Sequence, residues 1–408
     1  MERFTLSFID MNKQIITDYI LSGAKPAEKI GVELEHFIVD SDNKSVSYYG
    51  TNGVGAILDS LACFYDESIY SEGKLIALSN GRWHLTLEPA AQLEISIEPC
   101  EYISEIHDRY NEFLEQINPI LAELGYSMVT FGYQPSAKVD ELMLIPKKRY
   151  EFMDEYFKTS GKYGRNLMRG TASAQVSIDY TNKSDCEKKF RLANVLAPLL
   201  ALISDNSPVF EGEPNQHRMI RTKIWNDVDN ARCGLAPETI DDYVEYVLGV
   251  PAIFIDDNNT AVYTGKKTIG ELYQNKAMTV SEVEHALSMI FPDVRLKQYI
   301  EIRPADSMPI EYTLSYAAFI KGIFKQMDEV CKYLNIDCIS HEDIQSAKAD
   351  LSEKGFAGTV YNKPVSEVLE KLLSLADSAL EDCDRRYLNK IKTIVVTKKT
   401  LKEDNTSE

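Results

Sequence analysis

The sequence predicts an α+β fold: a largely antiparallel sheet, polar on one face and covered on the other by amphipathic helices. Three observations predict it. Four short segments alternate apolar and polar residues with period two, the mark of a strand with one face on a core. Several longer segments carry apolar stripes at helical spacing. The alternating segments also lack the unbroken apolar runs of a purely parallel sheet.

In KIGVELEHFIVD, from Lys29 to Asp40, Val32 and Leu34 share one side and Glu33 and Glu35 the other. In LTLEPAAQLEISIEP, Leu93, Ile95 and Ile97 oppose Gln92, Glu94, Ser96 and Glu98. A helix follows, with Ile103, Ile106, Tyr110, Phe113, Leu114, Ile117, Leu121 and Leu124 on one stripe. The third strand is RGTASAQVSIDY, where Ala172, Ala174, Val176 and Ile178 oppose Thr171, Ser173, Gln175, Ser177 and Asp179. Ser184-x-x-Glu187 reads as a capping box opening a helix through Ile203, and Ser281-x-x-Glu284 as another before Leu287 and Ile290. In QYIEIRPAD, Ile300 and Ile302 oppose Glu301 and Arg303. Residues 312–334 and 365–383 read as helices, and the polar stretch 397–408 as a frayed tail. No repeat or low-complexity linker marks a seam, so 1–408 reads as one catalytic domain with a helical C-terminal part.

Lys+Arg number 44 and Asp+Glu 63, a net charge of −19. That balance, with no cationic stripe, disfavours nucleic acid and anionic membranes. No apolar run of spanning length and no signal-like N-terminus is present, and seven cysteines without a C-x-x-C pair suit a reducing cytoplasm. Monomer and homodimer both stay open.

Glu33, Glu35, Glu94 and Glu301 crowd one face of the predicted sheet. For any one strand, a solvated face is the simpler reading. On four strands, like charges destabilise the face unless something neutralises them. Such carboxylates suit a pair of Mg²⁺ ions bridging to phosphates, and Arg303 beside Glu301 suits a phosphate or carboxylate. There is no P-loop and no G-x-G-x-x-G; the Asn52–Gly55 stretch reads as a turn. KIWNDVDNARCG, from Lys223 to Gly234, reads by composition as an ordered turn around Trp225, although Arg221, Lys223 and Arg232 could meet an anionic substrate. The six histidines lack zinc-like spacing and read as structural, and Cys233 is weak evidence for a nucleophile.

These same segments resemble the glutamate–cysteine ligase family of plant and proteobacterial type. KIGVELEHF, LTLEPAAQLEIS, KKRYEFM (Lys147 to Met153), MRGTASAQVSIDY, NSPVFEG, IWNDVDNARCG and FPDVRLKQYIEIRPAD occur in the family's order. The resemblance implies a glutamine-synthetase-like curved sheet forming a funnel, with helices outside. It implies ligation of the γ-carboxylate of L-glutamate to the amine of L-cysteine through a γ-glutamyl phosphate, the first step of glutathione biosynthesis, with ATP as co-substrate and two or more Mg²⁺ ions. By motif, Glu33, Glu35, Glu94, Gln175 and Glu301 would ring the metals. Arg303 and Glu301 would be catalytic, Arg303 on the transferring phosphoryl group, and Glu88 would line the nucleotide end. Arg232, Thr171 and Ser173 would hold glutamate, with Trp225 and Tyr150 as pocket wall. Four places depart from the family pattern: Ala90-Ala91 for Gly-Gly, Ser96-Ile97-Glu98 for a Ser-Gly-Ala ending, Cys233 for Thr, and Pro304 for Gly. They keep two alternatives open: a γ-glutamyl ligase for another amine, and a non-catalytic nucleotide- or amino-acid-binding homologue.

Overall fold

The computed structural model describes residues 7–257 and 260–405. Its strands are β1 (Ile30–Val39), β2 (Glu67–Ser71), β3 (Lys74–Ser79), β4 (Trp83–Leu87), β5 (Leu93–Cys100), β6 (Ser127–Val129) and β7 (Ala174–Ile178). After these come β8 (Val209–Phe210), β9 (Glu213–Pro214), β10 (Pro251–Asp257), β11 (Thr260–Thr268), β12 (Val294–Leu296), β13 (Ile300–Ile302), β14 (Thr359–Val360) and β15 (Lys363–Pro364). Nine of them form one open sheet in the order β12-β13-β7-β1-β5-β4-β3-β2, with β6 also paired to β1. Its pairings are all antiparallel. The expected fold class is borne out.

Register decides what shares a face, because directly opposed residues point the same way. Leu34 faces Ile95 on one side and Ala174 on the other, and Ile302 faces Val176. That face is apolar and buried. The helices Ile103–Leu124, Lys183–Ile203 and Ile310–Lys325 pack against strands of the sheet. The buried core is contiguous from Ile16 to Leu401.

Some elements depart from the sequence reading. The two long helices expected to start at capping boxes start two residues earlier. Asn182 caps Lys183–Ile203 by accepting from Asp185 N, and Thr279 caps Val280–Ser288 in a box with Glu282. In both places the two patterns overlap by two residues, and the earlier polar side chain captures the free N–H. Residues 312–334 form two helices, Ile310–Lys325 and Met327–Leu334. Residues 365–383 likewise split into Val365–Ala379 and the start of Asp382–Arg385. Gly53, in the supposed turn, is the N-cap of a helix, Val54–Leu61. The tail does not fray as far as Asn405: Leu401–Asn405 is helical, Leu401 is buried, and Lys402 N donates to Asp205 O at 3.1 Å. Residues 406–408 of that tail lie outside the described residues.

Candidate active site

The opposite face of the sheet carries the polar residues. Glu35 stands across from Glu94, Glu33 across from Ser96 and Gln175, and Glu301 across from Ser177 and Arg295. Thr86 on β4 faces Glu94. A cavity of about 280 Å³ opens on this face, lined by Glu33, Glu35, Glu88, Glu94, Thr171, Ser173, Gln175 and Arg303 from among the expected residues. Tyr150 and Trp225 line it too, as do Arg149, Arg221, Arg295 and Lys297.

The carboxylates differ in what holds them. Glu35 accepts from Ser173 N at 2.8 Å, Ser173 Oγ at 2.7 Å and Gln175 Nε2 at 3.3 Å. Glu94 accepts from Thr86 Oγ1 at 2.7 Å and Ser96 Oγ at 3.3 Å. Glu33 pairs through its backbone in β1, and no hydrogen bond or ion pair reaches its carboxylate among the described residues. Burial, then the neighbouring carboxylates, push Glu33 and Glu35 each up to about 8. Glu94 is raised for the same reasons, with Glu88 its main charged neighbour. Carboxylate oxygens are the donors a hard cation takes, and Arg221, Arg295 and Lys297 offset their charge only in part.

Glu301 is different, and the structure does not bring it to the cavity surface. It is fully buried, and its carboxylate is taken by Arg295 Nε at 2.6 Å, Arg303 Nη1 at 2.8 Å and Lys297 Nζ at 3.0 Å. Burial alone would raise its pKa, but the three cations outweigh burial and hold it well below the usual carboxylate range. It organises cations where a metal-ligand and catalytic role was expected. Gln175 is similarly engaged: its Oε1 accepts from Arg303 at 2.6 Å while its amide donates to Glu35 and Ser173. It thereby joins the carboxylate side to the cationic side. Among the described residues, no three His, Cys, Asp or Glu side chains already stand at metal-holding spacing.

Arg232, expected to hold glutamate, is fully buried and does not line the cavity. Its Nε donates to Asp229 at 2.7 Å, Nη1 to Met289 O at 2.5 Å and Nη2 to Pro251 O at 2.9 Å. The rings of Tyr156, Phe157 and Phe291 surround it. Asp229, three residues earlier, captures the guanidinium and turns it into a brace. Cys233 is buried too, its thiol pushed up to about 12 by desolvation, which leaves no thiolate for chemistry. Tyr150 and Trp225, expected as pocket wall, and Thr171, expected to hold glutamate, all line the cavity. Thr171 Oγ1 donates to Leu167 O at 2.7 Å, Tyr150 OH to Leu87 O at 3.3 Å and Trp225 Nε1 to Phe291 O at 3.1 Å.

The sequence reading missed most of the cavity's cations. Arg149 sits beside Tyr150 in the K-K-R-Y stretch, and Arg295 and Lys297 flank Leu296 with period two just ahead of Glu301. Both signals were present. Arg149 forms no ion pair or hydrogen bond among the described residues, and its Nε is buried without a partner. The Nε atoms of Arg221 and Arg303 are likewise buried without a hydrogen-bond partner. The cavity therefore sets oxygen anions against guanidinium groups.

A sequence profile, Glutamate-cysteine ligase family 2 (GCS2), matches residues 29–361. The chain belongs to glutamate-cysteine ligase family 2. Its relatives in this family include glutamate–cysteine ligase B, chloroplastic, of Oryza sativa subsp. japonica, 31% identical over 388 residues, covering 91% of this chain and 78% of the relative. The chloroplastic glutamate–cysteine ligase of Nicotiana tabacum is 29% identical over 409 residues, covering 95% and 78%. Among solved structures, glutamate–cysteine ligase from Francisella tularensis, in complex with AMP, superposes with a TM-score of 0.59 at 11% identity. It covers 93% of this chain and 84% of that one, and so shares the fold of this family 2 member.

Proposed function

We propose that this chain joins the γ-carboxylate of L-glutamate to the amine of L-cysteine at the expense of ATP, the first step of glutathione biosynthesis. One observation carries the reading: a single cavity opposes Glu33, Glu35 and Glu94 to Arg149, Arg221 and Arg303. Two polyanionic substrates need such an arrangement. The carboxylates cannot hold ATP by themselves, because like charges repel. With Mg²⁺ they can. Mg²⁺ favours carboxylate and phosphate oxygens together, and the carboxylates of this wall are of that kind. Glu33, Glu35 and Glu94 are the residues we assign to it. When bound, the ion neutralises phosphate charge.

The residues then divide the work. Arg303, held by Glu301 and Gln175, faces the phosphoryl group that passes from ATP to the γ-carboxylate of glutamate. ADP leaves and an acyl phosphate remains; the acceptor amine attacks its carbonyl and phosphate departs. Arg149 and Arg221 hold anionic groups of the substrates, the task expected of Arg232, and Glu88 lines the nucleotide end. Thr171, Ser173, Trp225 and Tyr150 shape the wall. The seven cysteines are all unpaired, in keeping with a reducing compartment such as the cytoplasm. The test is phosphate release from ATP and Mg²⁺ with L-glutamate, each amino acid being added in turn, and mass detection of the product. Product requiring L-cysteine is the expected result. Product with another amine alone moves the chain to a sister ligase and directs attention to the Ala90-Ala91 turn next to Glu88. No turnover with any amine contradicts the ligase reading.

A further inference from the structure

Arg221 reaches the cavity from the short helix Ile220–Trp225, yet it is 6% exposed, and something must fix so long a side chain at the wall. On one side its guanidinium lies 4.4 Å from the centre of the Trp225 ring. On another, Asp306 Oδ1 stands 3.5 Å from its Nε, within ion-pair range but too far for a hydrogen bond. Asp306 is itself tightly held. Its Oδ2 accepts from Asn206 N at 2.8 Å and Ser207 Oγ at 2.6 Å, and its backbone bridges to Ser173, which donates to Glu35. Its carboxyl group occupies the space a side chain at residue 132 would take: a Cβ built on Gly132 would lie 2.0 Å from Asp306 Cγ.

We propose that Asp306 is a positioning residue for the ligation. It touches no substrate; it holds Arg221 at the cavity wall by charge, from the Nε side. Asn206 and Ser207 follow the long helix Lys183–Ile203, so that helix's end anchors the arginine through Asp306. The inference rests on the proposed substrate role of Arg221, and the experiment separates the two. Steady-state kinetics are measured on the full chain with ATP, Mg²⁺, L-glutamate and L-cysteine. Arg221→Lys first identifies the substrate whose KM depends on the guanidinium. Asp306→Asn is then expected to raise that same KM by about tenfold with kcat within about threefold, and to add less than about twofold in an Arg221→Lys background. Ser207→Ala removes one clamp on the carboxylate and keeps its charge; it is expected to raise the same KM by about threefold, and serves if Asp306→Asn does not fold. An undiminished Asp306→Asn effect in the Arg221→Lys background overturns the inference, as does a uniform loss over every KM and kcat. If Arg221→Lys raises a KM and both other variants leave it unchanged, the inference alone fails. If Arg221→Lys changes no KM, the substrate role of Arg221 fails as well.

Discussion

At the residue scale, two side chains show how packing reassigns a motif. Arg232 sits where the family resemblance places a substrate contact, but Asp229 and two carbonyls use its donors. Arg232→Ala should therefore cost about 3 kcal/mol of stability, because it strands Asp229 in a mostly buried site; a denaturant titration measures it. A KM change with unaltered stability would instead return Arg232 to the substrate. Ala91 presents the other case. It stands where the family has glycine, and it adopts φ 67°, a conformation that favours glycine. Ala91→Gly should raise stability by about 1 kcal/mol, whereas Ala90→Gly, at a position without positive φ, should lower it by about 0.5–1 kcal/mol. Equal effects at both positions would contradict the strain argument.

At the scale of elements, the caps distinguish a sequence pattern from the contact that forms. Asn182→Ala should lower the stability of the chain by about 1 kcal/mol, and Ser184→Ala by a few tenths at most. The reverse order would restore the expected box. The strands were easier to read than the caps. Period-two alternation located β1, β5, β7 and β13, because each puts one face on the core. Strands β2, β3 and β4 escaped notice. β2 is an exposed edge and β3 is buried on both faces over most of its length, so neither alternates. β4 does alternate, but over only five residues.

At the scale of the whole molecule, a chain with net charge −19 gathers Arg149, Arg221, Arg295, Lys297 and Arg303 around one cavity. The acidic half of the site was legible, since its residues share a strand face. Of the cationic half only Arg221 and Arg303 were. That half is assembled from a helix start, a short helix and the β12–β13 hairpin, which lie far apart in the chain, and only the fold brings them together. A second buried acid has consequences for pH. Burial, then Asp306, push Asp205 up to about 7 from an ordinary 3.8. Between those values the native state holds more protons than the unfolded chain, so this group's contribution to stability falls as pH rises through the window. Asp205→Asn should remove that slope and stabilise the chain at pH 8 more than at pH 4. Thermal melting at both values measures it, and an equal effect at both would contradict the burial argument.

The central claim is that the carboxylate face of the sheet performs the ligation. The most direct measurement is formation of γ-glutamylcysteine by the wild-type chain and by Glu35→Gln, assayed side by side with their melting temperatures. Glu35→Gln keeps the side chain's shape but removes its negative charge. The account predicts product from the wild type and a loss of about 10²-fold or more in the variant, with melting little changed. Full activity in Glu35→Gln would contradict it.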